Sequence, residues 1–494
     1  MSEGAAWLAG LLAAALVLAN IVICVLALGV LPGNRKPSTA MAWLILILAV
    51  PYLGIVAFLL FGSTSVGRKR RAWQSEVNAR VLEAVSGQQE DPPRSDGVRH
   101  NVDDLTRLNQ RLGALPMAAG NSVELFPDYD GSIAAMCAEI EGAQRFVHVQ
   151  FYISSWDDRT SDFFEAMAAA AERGVDVRFL FDHLGSRGIP GYKQFKERLD
   201  ATKVRWAPML PIAPLKGEVR RPDLRNHRKI LVVDGRVGFM GSQNLIEPGY
   251  DKPKNHKAGR EWVELMTRVT GPVVRQLNVV FATDWRAETL EDLTPTLEAV
   301  PPAPARRDAV RDVSCQVVPS GPGFVTENNL RLFNSMIYRA RRRLSLTSPY
   351  FVPDESLLYA VTTAAQRGVD VELFVSAEAD QFMVAHAQRS YYAALLEAGV
   401  RIWLYPSPFV LHAKHFTVDE DLAVIGSSNM DYRSFALNYE VVMMMTSSAV
   451  VRRMRAVQDE YRSLSTELTL EEWRSRGRGA TYVDNVMRLT AALQ

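Results

Sequence analysis

Two short patterns of reactive residues stand 185 positions apart in a chain of 494 residues. The first is His227-Arg228-Lys229, then Asp234 after four residues, then Gly241-Ser242-Gln243-Asn244 after six more. The second is His412-Ala413-Lys414, Asp419 and Gly426-Ser427-Ser428-Asn429 at the same spacing. An imidazole can attack phosphorus, and a second imidazole can protonate the oxygen that leaves. Lysine and asparagine can take up charge on phosphoryl oxygens. Each pattern supplies one histidine, so such chemistry needs both copies facing each other across an interface. The set lacks a cage of carboxylates and suits phosphate better than a metal ion; no metal site and no cofactor are expected.

Both patterns lie on β-branched, apolar runs that read as strands: Lys229–Val233 and His415–Val418. Side chains alternate along a strand, so each His shares a face with the Lys two residues on. The same parity pairs Ser242 with Asn244 and Ser427 with Asn429, as candidate phosphate-binding or supporting groups. Asp234 and Asp419 complete the repeated catalytic motif of His227, Lys229, Asp234, His412, Lys414 and Asp419. Their parity is opposite to that of the lysines, and they are expected to point away and brace the strand end.

The surrounding sequence is duplicated too. Ala170-Ala171-Glu172-Arg173-Gly174-Val175-Asp176-Val177 recurs as Ala364-Ala365-Gln366-Arg367-Gly368-Val369-Asp370-Val371. Each copy ends a helix at Gly and enters an apolar strand. Strand-like Phe146–Ile153 and Leu344–Val352 lie upstream. Alternating helices and strands imply two α/β units with largely parallel sheets. Proline-rich breaks around 68–118 and 286–312 divide the chain into 1–67, a linker with some helix over 68–118, a first lobe over 119–300, and a second lobe with a tail over 301–494.

The N-terminal segment is of another kind. Residues 4–34 and 37–67 carry no charge, and each run exceeds the roughly 20 residues needed to span a bilayer. A hairpin of two transmembrane helices is expected, about 7–31 and 39–61, with Pro51 and Gly54 interrupting the second. Arg35 and Lys36 mark the loop, whereas Arg68, Lys69, Arg70 and Arg71 follow the second span. The excess of basic residues after it places the multi-pass protein's catalytic part in the cytoplasm. Beyond residue 67 basic and acidic residues balance at 54 each, which disfavours a non-specific nucleic-acid binder. Cys24, Cys137 and Cys315 are too few for a disulfide framework and read as thiols in a reducing compartment.

The duplicated His-x-Lys pattern resembles the phospholipase D superfamily and, within it, the bacterial cardiolipin synthases. The finer likeness rests on the N-terminal hairpin with Pro51-Tyr52-Leu53-Gly54, on Arg225-Asn226-His227-Arg228-Lys229, and on the run Gly426–Glu440. The resemblance covers nearly the whole chain, least over 68–118 and after 465. It implies two pseudo-symmetric α/β/α lobes behind the hairpin, a phosphohistidine intermediate and no metal. It implies a bacterial inner-membrane phosphatidyltransferase that joins two phosphatidylglycerols into cardiolipin and glycerol. It also implies an acid after each motif that hydrogen-bonds that motif's own histidine; Glu261 and Glu440 are the candidates. The same motifs would serve a phospholipase D-type hydrolase, and a non-catalytic membrane scaffold is the remaining alternative. Oligomeric state is not legible.

Other marked residues carry less. Lys216, Arg220, Arg221, Arg225 and Arg228 crowd the approach to the first motif and are candidates for receiving anionic headgroups, or else a solvated basic loop. Pro406–Leu411 is either an acyl contact or a buried strand entry, the latter favoured. His148 reads as a core histidine.

Overall fold

The computed structural model describes residues 3–31, 33, 37–62, 102–113, 115–212, 221–324 and 327–489. Most of the expected linker, together with Lys216 and Arg220, lies outside the described residues. The chain divides into two compact units, Met1–Ser65 and Val66–Gln494.

The larger unit is α/β. Its first half carries β1 (Ala118–Phe126), β2 (Phe146–Phe151), β3 (Asp176–Asp182), β4 (Arg205–Met209), β5 (Ile230–Val233), β6 (Val237–Gly241), β7 (Trp262–Val263) and β8 (Met266–Thr270). The second half carries β9 (Val310–Ser320), β10 (Arg343–Thr347), β11 (Phe351–Val352), β12 (Asp370–Ser376), β13 (Arg401–Tyr405), β14 (Val410–Leu411), β15 (His415–Val418), β16 (Leu422–Gly426), β17 (Met430–Asp431), β18 (Glu440–Thr446) and β19 (Thr466–Leu468). Fifteen of these form one sheet in the order β4-β3-β2-β5-β6-β8-β1-β9-β18-β16-β15-β10-β12-β13-β19. From the β1–β9 junction outward, each half runs through the same sequence of strands, and β19 is added at the far edge.

The sheet is mixed, which corrects the expectation of largely parallel sheets. Within this sheet, among the described residues, β2-β3-β4 and β10-β12-β13 alone pair in parallel. The strands that follow each histidine return through short turns, β5 to β6 and β15 to β16, and a connection so short permits only antiparallel pairing. Strands buried on both faces explain the unbroken apolar runs: every residue of β2, β5, β6, β8 and β18 is buried. His148 stacks between Phe146 and Phe281 at 4.5 Å from each ring, with Nδ1 2.7 Å from Asn278 Oδ1. It is a core histidine, as its surroundings in the sequence suggested. The helix Arg478–Arg488 near the chain end is tied to helix Phe382–Glu397 through Asp484 Oδ1, 2.7 Å from His386 Nδ1.

Asp234 and Asp419 open the two turns with φ of 54° and 48°, a left-handed conformation that Asp tolerates better than most residues. The Asp234 carboxylate accepts backbone N–H groups of Gln144, Arg145 and Phe146 at 2.7–2.9 Å. The Asp419 carboxylate accepts those of Arg341, Arg342 and Arg343 at 2.7–3.2 Å. Both therefore clamp the start of the neighbouring strand and stand apart from the histidines, so their grouping with the catalytic residues is corrected to a bracing role. Asp234→Asn turns one accepting oxygen into a donor facing the Gln144 N–H. We expect a loss of about 2 kcal/mol, read as a lower thermal midpoint with kcat of the surviving folded protein unchanged.

The smaller unit holds α1 (Glu3–Val30), α2 (Pro37–Ala49) and α3 (Pro51–Phe61). α1 contains an apolar stretch, Gly10–Val30, long enough to cross a bilayer. The expected second span over 39–61 is not one helix. Pro51 lacks the N–H that would continue the ladder and its ring excludes the preceding turn; the chain breaks at Val50, with φ −139° and ψ 79°, and restarts.

Candidate active site

Each motif is anchored by backbone hydrogen bonds to the opposite half of the chain. His227 N–H donates to Tyr439 O at 2.8 Å, and Tyr439 N–H donates to Arg225 O at 2.8 Å. His412 N–H donates to Val263 O at 2.7 Å, and β14 pairs in parallel with β7 just before it. The two histidines and two lysines are brought together and buried. Lys229 Nζ donates to His227 O at 2.7 Å, and Lys414 Nζ to His412 O at 2.5 Å. These bonds fold each lysine back beside its own histidine.

The cross-anchoring decides which acid meets which histidine. His227 Nδ1 lies 3.0 Å from Glu440 Oε2, and His412 Nδ1 lies 2.7 Å from Glu264 Oε1. Two expectations are thereby corrected. Glu440 serves the histidine of the first motif, because the residue before it is paired to His227. Glu261 serves neither; it is exposed, and its backbone carbonyl accepts Val410 N–H at 2.9 Å. Glu264 takes the place expected for it, as the residue after Val263, whose carbonyl holds His412. In both pairs Nδ1 is committed to a carboxyl, which leaves Nε2 as the reactive nitrogen.

Both serines are committed to protein partners. Ser427 Oγ donates to Glu440 Oε2. Ser242 Oγ donates to Leu265 O at 3.4 Å and accepts Leu265 N–H at 3.0 Å, beside Glu264. Of the two roles expected for them, support fits better than phosphate binding, because both hydroxyls are committed. Asn244 is committed as well, donating to Tyr250 Oη at 2.7 Å and accepting Ile153 N–H at 3.3 Å. Asn429 differs: among the described residues its buried Oδ1 has no hydrogen-bond partner.

The charges are unequal between the halves. Burial lifts the Glu440 carboxyl to about 7, against the pull of Lys229. Burial, then Lys229 and Lys414, hold His227 far below the usual imidazole range. Near pH 7 the imidazole is uncharged and the carboxyl about half ionised. Burial also pushes Glu264 upward, but His412, Lys414 and Ser242 outweigh it and keep its carboxyl below the ordinary range. His412 thus faces a true carboxylate, although burial still lowers the imidazole. Burial lowers Lys414 to about 8 and takes Lys229 well below its normal value, with Lys414 adding to the effect.

Several neighbours were not singled out from the sequence. The Tyr152 ring packs edge-on at 5.0 Å from His227, with Lys229 Nζ 5.4 Å from its centre. Asp182 accepts Asn226 N–H at 2.8 Å and pairs with Arg225 at 3.0 Å; at the matching end of β12, Ser376 Oγ accepts Leu411 N–H at 2.9 Å. Arg228 is paired to Asp284 and donates to Glu440 O and Ser320 O at 3.0 and 3.1 Å. Arg225 and Arg228 are thus buried structural cations rather than headgroup receivers, and Arg221 is paired to Asp223. Val410 and Leu411 form the buried strand entry favoured above.

Comparison with known proteins agrees with this geometry. The family described as "Cardiolipin synthase, PLD-like domain" matches residues 136–285 and 333–461, and the family described as "Phospholipase_D-nuclease N-terminal" matches residues 15–63. The chain is 33% identical over 454 residues to cardiolipin synthase A of Proteus mirabilis (strain HI4320), covering 90% of each. It is 34% identical over 466 residues to cardiolipin synthase A of Yersinia pseudotuberculosis serotype O:1b (strain IP 31758), covering 92% of this chain and 93% of the relative. Its fold is similar to the crystal structure of phosphatidylserine synthase from Haemophilus influenzae Rd KW20, with a TM-score of 0.58 at 14% identity, over 79% of this chain and 100% of that one. With two family segments on the two halves of the sheet and relatives matched over nine-tenths of their length, the chain belongs to the cardiolipin synthase family of phospholipase D-like proteins.

Proposed function

We propose that the protein is a phosphatidyltransferase that makes cardiolipin and glycerol from two phosphatidylglycerols through a phosphohistidine intermediate. The observation that carries this reading is the pair of buried histidines, each held at Nδ1 by an acid from the other half of the chain and each beside a lysine. The two halves act as pseudo-symmetric lobes, first 119–300 and second 301–494, that share one site. His227 is the nucleophile: Nδ1–H donates to Glu440 Oε2, which leaves the lone pair on Nε2, and burial beside two lysines keeps the ring uncharged. It bonds to phosphorus as the P–O bond to glycerol breaks, and His412, supported by the Glu264 carboxylate, gives the departing oxygen a proton. Lys229, Lys414 and Asn429 meet the charge on the phosphoryl oxygens. In the second step His412 takes the proton from a hydroxyl of the second phosphatidylglycerol, whose oxygen displaces His227. One phosphodiester replaces another, and the displacement is split into two easier steps. α1 anchors the protein in the bacterial inner membrane with the lobes on the cytoplasmic side. A lipid alcohol held at the bilayer then outcompetes water through its local concentration and orientation.

Purified protein supplied with labelled phosphatidylglycerol should give cardiolipin and glycerol in equal amounts, identified by mass spectrometry. Phosphatidic acid as the main product would favour the hydrolase. The charge on Lys414 predicts an alkaline limb: kcat/KM should fall as pH rises through about 8, and the limb should move upward in Lys414→Arg.

A further inference from the structure

Neither α2 nor α3 is long enough to cross a bilayer by itself. α2 has 13 residues and α3 has 11, about 20 Å and about 16 Å of helix, against about 30 Å of hydrocarbon. α1, at 28 residues, reaches about 42 Å. α3 does not continue α2 but returns along it. The Trp43 and Phe58 rings stand 5.4 Å apart, where a continuous helix would separate those residues by about 22 Å. A Cβ on Gly54 would fall 2.7 Å from Ile47 Cα, so the two backbones touch at a point that only glycine permits. Leu44 and Ile47 of α2 are buried with Leu31, against Ile23 and Ala27 of α1 and Ile55 and Phe58 of α3.

The depth of the tip is marked by one contact. Tyr52, next to the turn, donates its hydroxyl to Leu16 O of α1 at 3.3 Å. Leu16 lies fourteen residues, about 21 Å, from Val30 at the loop end of α1. The tip thus stops short of the far end of the Gly10–Val30 stretch. Pro51 at the tip has no N–H to leave unsatisfied in lipid.

We propose that α1 alone crosses the bilayer and that α2–α3 is a re-entrant hairpin, entering and leaving through the face at which α1 ends. The basic residues support this arrangement independently. With a second crossing, they would divide as two in the loop against four after residue 67. With a re-entrant hairpin, Arg35, Lys36, Arg68, Lys69, Arg70 and Arg71 share one face, and the acidic Glu3 stands at the other end of α1. Six basic residues on one face are a far stronger positive-inside signal than four against two. The N-terminal end of α1 then faces the periplasm, while the lobes stay in the cytoplasm. Basic residues from both sides of the hairpin also collect at the anionic inner leaflet.

The proposal rests on the membrane anchoring described above and is tested apart from it. Gly4→Cys, Gly33→Cys and Gln74→Cys, made singly, are exposed to a membrane-impermeant maleimide in intact spheroplasts and after permeabilisation. The unmodified chain is the blank, since Cys137 and Cys315 are buried and Cys24 lies within α1. Both glycines have room for a side chain, and cardiolipin synthesis in the same membranes verifies folding. Position 4 should be labelled from outside, and positions 33 and 74 only after permeabilisation. Positions 33 and 74 on opposite faces would overturn the re-entrant hairpin. Both labelled from outside, with position 4 protected, would overturn the orientation.

Discussion

Removal of the His227 imidazole is expected to lower turnover by about 10⁴-fold or more, with the thermal midpoint nearly unchanged. The side chain contributes Nδ1 to Glu440 and an edge to Tyr152, and neither contact holds the sheet together; the backbone bond to Tyr439 survives in His227→Ala. His412→Ala should lose about 10²–10⁴-fold with phosphatidylglycerol, for a different reason: the glyceroxide it must expel is a poor leaving group. From a phosphatidyl ester of p-nitrophenol, p-nitrophenolate leaves without a proton. His412→Ala should therefore release p-nitrophenol in a stoichiometric burst, while His227→Ala should release none. Equal bursts from the two variants would contradict the assignment of roles.

The second large effect concerns the acids. Glu264→Gln and Glu440→Gln should each reduce kcat on the order of 10³-fold, since each acid sets the tautomer of a histidine in the other half. Glu261→Gln should behave as wild type. Gln can still meet Nδ1, so KM should change little and the loss should appear in kcat. Glu264→Gln should also shift the pH profile, because it removes the carboxylate that supports protonated His412. A fall with Glu261→Gln comparable to that with Glu264→Gln would contradict the geometry.

These acids show where the sequence was legible and where it was not. His227, Lys229, His412 and Lys414 stand out because their spacing repeats in a chain with eight histidines. The bracing by Asp234 and Asp419 followed from strand parity alone. Partnership across the halves has no local signature. It arises from β14 lying on β7 and from the bridge between Asn226 and Tyr439, contacts between segments some 150–210 residues apart. Glu264 could nevertheless have been found by register. Gly426 opposes Val442, and Gly241 opposes Met266; counting back two residues gives Glu440 in one case and Glu264 in the other. Reading the acid from its place before Trp262 gave Glu261 instead. The mixed sheet was missed because apolar runs buried on both faces look alike in parallel and antiparallel sheets. The expected second span was read as one helix because hydropathy registers composition, which the fold-back at Val50 leaves unchanged.

The central claim, one site built from both halves with phosphorus carried on His227, is tested most directly by trapping. Enzyme is mixed with phosphatidylglycerol labelled in the acyl chain, quenched within one turnover in alkaline denaturant, and the peptides are mapped by mass spectrometry. The phosphatidyl group should be found on His227, at greater occupancy in Glu264→Gln than in wild type if His412 also limits the second step, and absent in His227→Ala. Label on His412, or cardiolipin formed at the normal rate with no histidine adduct in any variant, would contradict the account.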